Sequence, residues 1–535
     1  MKKRSMAACI ALILLIGACG VRLYSLQGEE SLAEAAAGQS SLTVTLGTSR
    51  GTIYDCQKRP LVNRDFVYVT AIAPTAPAMS RVRECFDKET AAGILERLEQ
   101  GKPIAVKTKE PLPLCEGMTL KTVPERYGEK TTAAHVLGYT DESGGVCGVE
   151  YAFDELLSAY SGSVEVTYTV DGLGMPLSGV APTVKDTTDK SRGGVVLTID
   201  SEIQQIAERA AEHVTCGAVV VMEPKTGAIR AMVSVPEYDP AAVEEALTEE
   251  NAPLLNRALA DYNCGSVFKI VTASAALEAG LSPSAAFDCT GGYRLGDTLF
   301  RCHYWLGHGT QDMKEAFAKS CNPYYIQLAQ ETGAEALYDM AVSFGFDRAW
   351  TLAPGLSTAR ATLPSLKTLK TSQASLCNLA FGQGELLATP IHVAQLAAAV
   401  VNGGAIARPT LVAGTVDENG NYEKEQASPL QKVFSKETAE TLWDMMIYTM
   451  EEGTGAKGQP YYAPAAAKTG TAETGWVENG KEVVQHWFTG FFPADEPQYV
   501  ITTLCENSEA MEESAAPVFR EICEELYFRS LQKDG

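Results

Sequence analysis

Two pairs of short apolar runs, placed far apart in the chain, limit the fold more than any other feature. Residues 217–222 and 228–233 flank Glu223-Pro224-Lys225-Thr226-Gly227, and residues 486–492 and 499–504 flank Pro493-Ala494-Asp495-Glu496-Pro497-Gln498. Each pair reads as strand, turn, strand. Helical patterns dominate the long stretch between them, so the two hairpins must meet to bury their apolar faces, with helices packed against them. This predicts an α/β domain, a central antiparallel sheet flanked by helices, over residues 191–535. The domain opens with a strand-like run at 195–199 and a helix at 201–213 that places Ile203, Ile206, Ala207 and Ala210 on one face.

A chain of 535 residues is longer than one core usually organises, so a second domain is expected upstream. Residues 41–46, 66–72 and 164–170 are strand-like and are joined by polar, Gly- and Pro-containing connections, which predicts a non-catalytic α+β pedestal over 27–190. It begins with a helical stalk at 27–39 and ends in a uniformly polar linker at 185–192. Lys2, Lys3 and Arg4 precede an apolar run at 6–21 that Arg22 closes. Residues 1–26 therefore read as a cytoplasmic stub and membrane signal-anchor, a little short beside the ~20 residues of a spanning helix. The basic flank keeps the N-terminus inside and sends the rest of the chain outside the cytoplasm. Cleavage by signal peptidase and lipidation at Cys19, within Ile16-Gly17-Ala18-Cys19, are the other two readings.

The formal charge of −23, with no cationic cluster, argues against nucleic acid as a partner. Fourteen cysteines are scattered, with no CxxC pair and no Cys/His cluster at metal-ligand spacing, so neither a metal nor a cofactor is expected. Cys289 and Cys302 are near enough in sequence to pair; small buried thiols are the other reading.

Three short motifs carry chemistry. Ser266-Val267-Phe268-Lys269, after Asn263-Cys264-Gly265, starts an apolar helix that Gly280 stops. Residues three apart share a helical face, so the Lys269 amine stands beside the Ser266 hydroxyl, where its neutral form can take the nucleophile's proton. Desolvation and a second cation are the physical means of making that amine neutral. Ser320-Cys321-Asn322 lies in a break between helical stretches and is followed by Pro323. Asn322 as a plain N-cap is one reading; the other has Ser320 relaying a proton to the leaving amine and Asn322 binding a substrate carbonyl.

Lys468-Thr469-Gly470-Thr471 follows Ala465-Ala466-Ala467 and reads as a strand edge along a cleft. Lys468 supplies the second cation, Thr469 and Thr471 accompany a substrate carboxylate, and Gly470 admits substrate backbone. The backbone N–H groups of Ser266 and Thr471 are placed to form an oxyanion hole. Each motif alone is weak, because Ser530 and Lys533 repeat S-x-x-K in a tail and Lys225-Thr226-Gly227 repeats K-T-G in a turn. The weight rests on the order Ser266, Ser320, Lys468. No G-x-S-x-G elbow accompanies the six histidines, and His486 reads as structural or substrate-lining.

On these residues the chain resembles the class B penicillin-binding proteins, monofunctional peptidoglycan transpeptidases. Arg50-Gly51-Thr52-Ile53-Tyr54-Asp55, Ala134-His135-Val136-Leu137-Gly138-Tyr139, Phe381-Gly382-Gln383-Gly384 and Trp487-Phe488-Thr489-Gly490-Phe491 extend the likeness. The resemblance implies a penicillin-binding/β-lactamase-like serine transpeptidase domain. In it Ser266 attacks the D-Ala-D-Ala end of a peptidoglycan stem peptide and passes the acyl group to a neighbouring stem's amine, and β-lactams trap the acyl-enzyme. It further implies a single-pass protein of the cytoplasmic membrane and a polytopic glycosyltransferase as partner. Two departures stand out: Cys264 replaces the usual Pro before Gly-Ser, and Asp55-Cys56-Gln57-Lys58 replaces the common Asp-Arg-Asn-Gly. The competing functions are a D,D-carboxypeptidase, in which water replaces the acceptor amine, and a β-lactam sensor or non-catalytic cell-wall scaffold.

Overall fold

The computed structural model describes residues 2–27, 40–478, 481–506 and 515–533. Its contacts divide the chain into two units. The smaller contains Met1–Arg50, Asn63–Arg126 and Ser161–Ser191. It begins with α1 (Lys2–Gln27); the stalk expected beyond Gln27 lies outside the described residues. Strand Ser41–Ser49 pairs antiparallel with Gly162–Thr169, which pairs in turn with Thr183–Asp186. A second sheet places Asp65–Ile72 between Ile104–Thr108 and Met118–Glu125. Inward residues Leu46, Val69, Ala71, Val123, Val164 and Val166 form a shared core. Helices Ala76–Cys85 and Lys88–Glu99, capped by the side chains of Thr75 and Asp87, complete an α+β body. No helix among the described residues is long and apolar enough to cross a membrane. The uninterrupted apolar run 6–21 falls short of the ~20 residues a span requires.

The larger unit contains Gly51–Val62, Tyr127–Tyr160 and Arg192–Gly535. The pedestal expected as one continuous block over 27–190 is thus split, because two of its segments fold with the downstream chain. Backbone pairing explains the first: Thr52–Tyr54 forms a parallel ladder with Gly194–Leu197, which itself pairs with Val412–Val416. The buried Asp55 carboxylate then accepts hydrogen bonds from Gln57 N, Arg59 N, Arg59 Nε and Ser201 Oγ. Burial alone would raise its pKa, but these donors hold it below the usual carboxylate value.

The frame of this unit comprises α2 (Ser201–Ala211), β1 (Gly217–Met222), β2 (Ile229–Val235), α3 (Lys269–Glu278), α4 (Asn322–Thr332), α5 (Pro390–Val401), α6 (Lys436–Glu452), β3 (Ala466–Glu478), β4 (Lys481–Phe492), β5 (Tyr499–Cys505) and α7 (Ala515–Lys533). The sheet runs β2-β1-β5-β4-β3, antiparallel throughout, so the two hairpins meet through β1 and β5. Every residue of β1 is buried. Ala218, Val220 and Met222 enter the core on one face, whereas Val219 and Val221 pack with Ile203, Ile206 and Phe519 from α2 and α7 on the other. A strand covered on both faces has no reason to alternate, which is why its sequence is a continuous apolar run. Helix α5 is buried at every position from Pro390 to Val400 and belongs to the same core as α3 and α4.

Candidate active site

Ser266 occupies a 3-10 turn, Gly265–Phe268, that runs directly into α3. The turn is wedged. Gly265 has φ +59°, and a Cβ there would sit 2.5 Å from the Thr471 carbonyl oxygen; one on Gly382 would sit 1.9 Å from the Gly265 oxygen. Only glycine satisfies both approaches. Gly265 N donates to Gly382 O at 2.9 Å, which ties the Ser266 turn to the Phe381-to-Gly384 loop. Cys264, just before it, is fully buried, and burial pushes its thiol up, so it is a small core residue and not a reactive thiol.

Lys269 is fully buried, and its Nζ lies 3.0 Å from Ser266 Oγ, 3.1 Å from Ser320 Oγ, 2.7 Å from Ser320 O and 2.8 Å from Asn322 Oδ1. Lys468, also fully buried, places Nζ 3.1 Å from the same Ser320 hydroxyl and 2.8 Å from Thr469 O. Burial pushes the Lys269 amine down to about 7. At Lys468 burial, and then repulsion from Lys269, pushes the amine well below its ordinary value. Two ammonium groups sharing one buried hydroxyl repel, so the pair favours a single proton. Burial, and not the second cation, is the leading cause at Lys269.

The bland reading of Asn322 as an N-cap does not hold: Cys321 is the N-cap of α4 and Asn322 is its first helical residue. The Asn322 amide instead accepts from Lys269 and donates to Arg301 O at 3.3 Å. Ser320 sits in a left-handed conformation, φ +52°. Lys468 to Thr471 lie on β3, the edge strand of the sheet, opposite Thr489 to His486 of β4. A cleft of about 880 Å3 is lined by Ser266, Ser320, Asn322, Thr469, Gly470 and Thr471, with Lys269 and Lys468 behind that wall. His486 also lines it.

The decoys are elsewhere. Lys225-Thr226-Gly227 forms the β1–β2 turn, where Gly227 has φ +74° and Thr226 Oγ1 accepts from Ala228 N. Ser530 lies on α7, its hydroxyl donating to Tyr527 O. The motifs missed Thr454, whose hydroxyl meets that of Thr469 at 2.6 Å, and the rings of Tyr325 and Phe317 lying 5.5 Å from the amines of Lys269 and Lys468. No spacing rule points to them, because they meet the site only through the tertiary fold.

A Cys/His cluster, not expected from spacing, does form. The ligand atoms of Cys289, Cys302, His308 and Cys321 all lie within 4.8 Å of one another. Their intervals in the chain are too long for a short-motif search, and folding closes them. The fourteen cysteines are all free, so Cys289 and Cys302 are not paired.

Residues 217–524 match the penicillin-binding protein transpeptidase domain, more than half of the chain. The chain belongs to the class B penicillin-binding proteins. It is 33% identical over 344 residues to the peptidoglycan D,D-transpeptidase PbpA of Mycolicibacterium smegmatis, covering 60% of this chain and 68% of that protein. With the stage V sporulation protein D of Bacillus subtilis it shares 30% identity over 394 residues, 70% of this chain and 58% of the relative. Among solved structures, penicillin-binding protein A of Mycobacterium tuberculosis as its imipenem acyl-enzyme complex superposes with a TM-score of 0.64 at 25% identity, covering 90% of this chain and 98% of that one. These matches fit the fold expected for the penicillin-binding half.

Proposed function

We propose that this penicillin-binding protein is a peptidoglycan D,D-transpeptidase whose acylated nucleophile is Ser266. The observation that carries the assignment is the convergence of Ser266, Ser320 and Asn322 on the buried Lys269 amine, with Lys468 joined to it through the shared Ser320 hydroxyl. Neutral Lys269 takes the Ser266 hydroxyl proton as Oγ attacks the penultimate D-Ala carbonyl of a stem peptide. The tetrahedral oxyanion is held by the N–H groups of Ser266 and Thr471. Collapse breaks the peptide bond, Lys269 returns the proton through the Ser320 hydroxyl to the leaving amine, and D-Ala departs. The amine of a second stem then attacks the Ser266 ester and gives up a proton to Lys269; the C–Oγ bond breaks as Lys269 passes that proton to Ser266 Oγ, which restores the free enzyme. Lys468, Thr469 and Thr471 bind the terminal carboxylate, Gly470 admits the substrate backbone and Asn322 the peptide carbonyl. A β-lactam enters as the same acyl donor and stays.

The smaller unit serves as a non-catalytic pedestal, and the N-terminal helix holds the enzyme on the outer side of the cytoplasmic membrane. Support for the latter is the exposed apolar surface of Ile10, Leu12, Ile13, Leu14, Leu15 and Ile16. A polytopic glycosyltransferase as partner follows from the family. Fluorescent-penicillin labelling with mass mapping tests the nucleophile: an adduct on Ser266, absent in Ser266→Ala, is expected, and an adduct elsewhere overturns it. Release of D-Ala from a pentapeptide with and without an amine acceptor separates transpeptidation from carboxypeptidase action.

A further inference from the structure

Between the nucleophile and the Ser320 loop the chain inserts a segment with no core of its own. Phe287–Cys289 pairs only with Gly309–Gln311, and Gly292–Leu295 only with Thr298–Arg301, each a two-stranded ladder. Leu299, Tyr304, Trp305 and Leu306 are exposed on it. A two-stranded ladder is marginal by itself in water, and these two lean on the main core through Phe287, Cys289, Tyr293, Phe300 and Cys302. Yet this segment supplies Phe300, Arg301, Cys302 and His303 to the catalytic cleft, where position matters.

The geometry points to a staple: we propose that Cys289, Cys302, His308 and Cys321 bind one zinc ion, which clamps the insert to the loop carrying Ser320 and Asn322. His308 Nδ1 lies 3.7 Å from Cys289 Sγ and 3.5 Å from Cys302 Sγ. Tetrahedral zinc with Zn–S near 2.3 Å and Zn–N near 2.0 Å has S···N edges of roughly 3.6 Å, so these two distances already match. All four donor atoms fall within 4.8 Å, the spread a small inward movement closes around an ion. The three cysteines are buried, and the His308 ring is oriented by His303 and Tyr304, each 5.3 Å away between ring centroids. Three sulfurs and one imidazole form a closed donor set that leaves no position for substrate, the signature of a structural and not a catalytic site. Binding replaces three thiol protons, released to solvent, with three Zn–S bonds and no change of oxidation state.

Cys321 is the middle residue of Ser320-Cys321-Asn322. Its sulfur belongs to the cluster while its neighbours on both sides meet the Lys269 amine. The ion therefore acts as a positioning group for the two residues that flank its ligand, through the N-terminus of α4.

The test uses the full chain, purified without a polyhistidine tag in zinc-supplemented medium. About one zinc per chain by elemental mass spectrometry is expected. Cobalt(II) exchange is expected to give the thiolate charge-transfer band and the intense visible bands of a tetrahedral site. Cys289→Ser and His308→Ala lose the metal; Cys56→Ser, in the Asp55 turn, keeps it. Should the ligand variants fail to fold, the wild-type stoichiometry and cobalt spectrum decide. Removing zinc with dipicolinate lowers the melting temperature, and readdition restores it. Absence of bound zinc and of a tetrahedral cobalt spectrum overturns the proposal, as does a Cys302–Cys321 disulfide mapped in the native, metal-free protein. Penicillin labelling of Ser266 in the same samples is a separate readout, so the metal site and the nucleophile assignment stand or fall independently.

Discussion

Removing the Ser320 hydroxyl takes one shared partner from two buried amines at once. Lys269 Nζ and Lys468 Nζ each lie 3.1 Å from Ser320 Oγ. Lys269 keeps Ser320 O at 2.7 Å and Asn322 Oδ1 at 2.8 Å, so its position survives the loss. A hydrogen bond to a charged group contributes about 1.5–3 kcal/mol. Ser320→Ala should therefore slow the second-order acylation constant roughly 10- to 150-fold if that bond strengthens in the transition state. The backbone supplies an internal control. At φ +52° Ser and Ala are equally strained, whereas Gly relieves ~1 kcal/mol and, in a unit with this large an unfolding entropy, should melt ~1 °C above the Ala variant. Ser320→Gly must nonetheless acylate as slowly as Ser320→Ala. Rate constants from quenched fluorescent-penicillin labelling, with scanning calorimetry beside them, make the comparison. Acylation of the Ala variant within about a factor of three of wild type refutes the shared-hydroxyl argument. Wild-type speed in the Gly variant would show that backbone shape, not the hydroxyl, is what matters.

With the Lys269 amine pushed to about 7 by burial, and the neutral form active, acylation should rise about tenfold per pH unit below that value and level off above it; a flat profile between roughly pH 6 and 8 contradicts the general-base role. His135 and His392 are buried, and burial lowers each from 6.5 to about 4. A depressed folded pKa means that the unfolded chain binds the proton first, so stability is intact above 6.5 and is lost as pH falls towards 4, by at most roughly 3 kcal/mol for each group. Thermal melts across that window should show the fall, and His392→Gln should flatten it. Lys58 holds φ +63° where the related turn commonly has Gly; Lys58→Gly should raise the melting temperature by an amount worth about 1 kcal/mol, and a lower value refutes the strain.

The candidate site could be read from the chain because Ser266 and Lys269, its proposed nucleophile and base, are local partners. Ser266 and Lys269 are one turn apart, and the 3.0 Å contact follows from that turn alone. The two hairpins were equally readable, since a short connection with Pro and Gly at 223–227 and one with two prolines at 493–498 join each strand to its neighbour. The domain boundary was not: the segments 51–62 and 127–160 are continuous with the pedestal in sequence, yet the first joins the larger unit through a parallel ladder to Gly194–Leu197. Parallel pairing needs no turn between its strands and leaves no local signal. The cysteine cluster escaped for a similar reason, its four donors being spread from 289 to 321.

Local rules thus determined which residues are the candidates for the chemistry: a serine with a lysine one turn on, a hydroxyl and an amide on a loop, and a lysine on a strand. Tertiary structure decided what those groups are. Only the packed core buries Lys269 and Lys468 completely and brings both to one hydroxyl. Desolvation at both amines, and repulsion from Lys269 at Lys468, which no sequence interval encodes, lower two ordinary ammonium groups below their usual pKa.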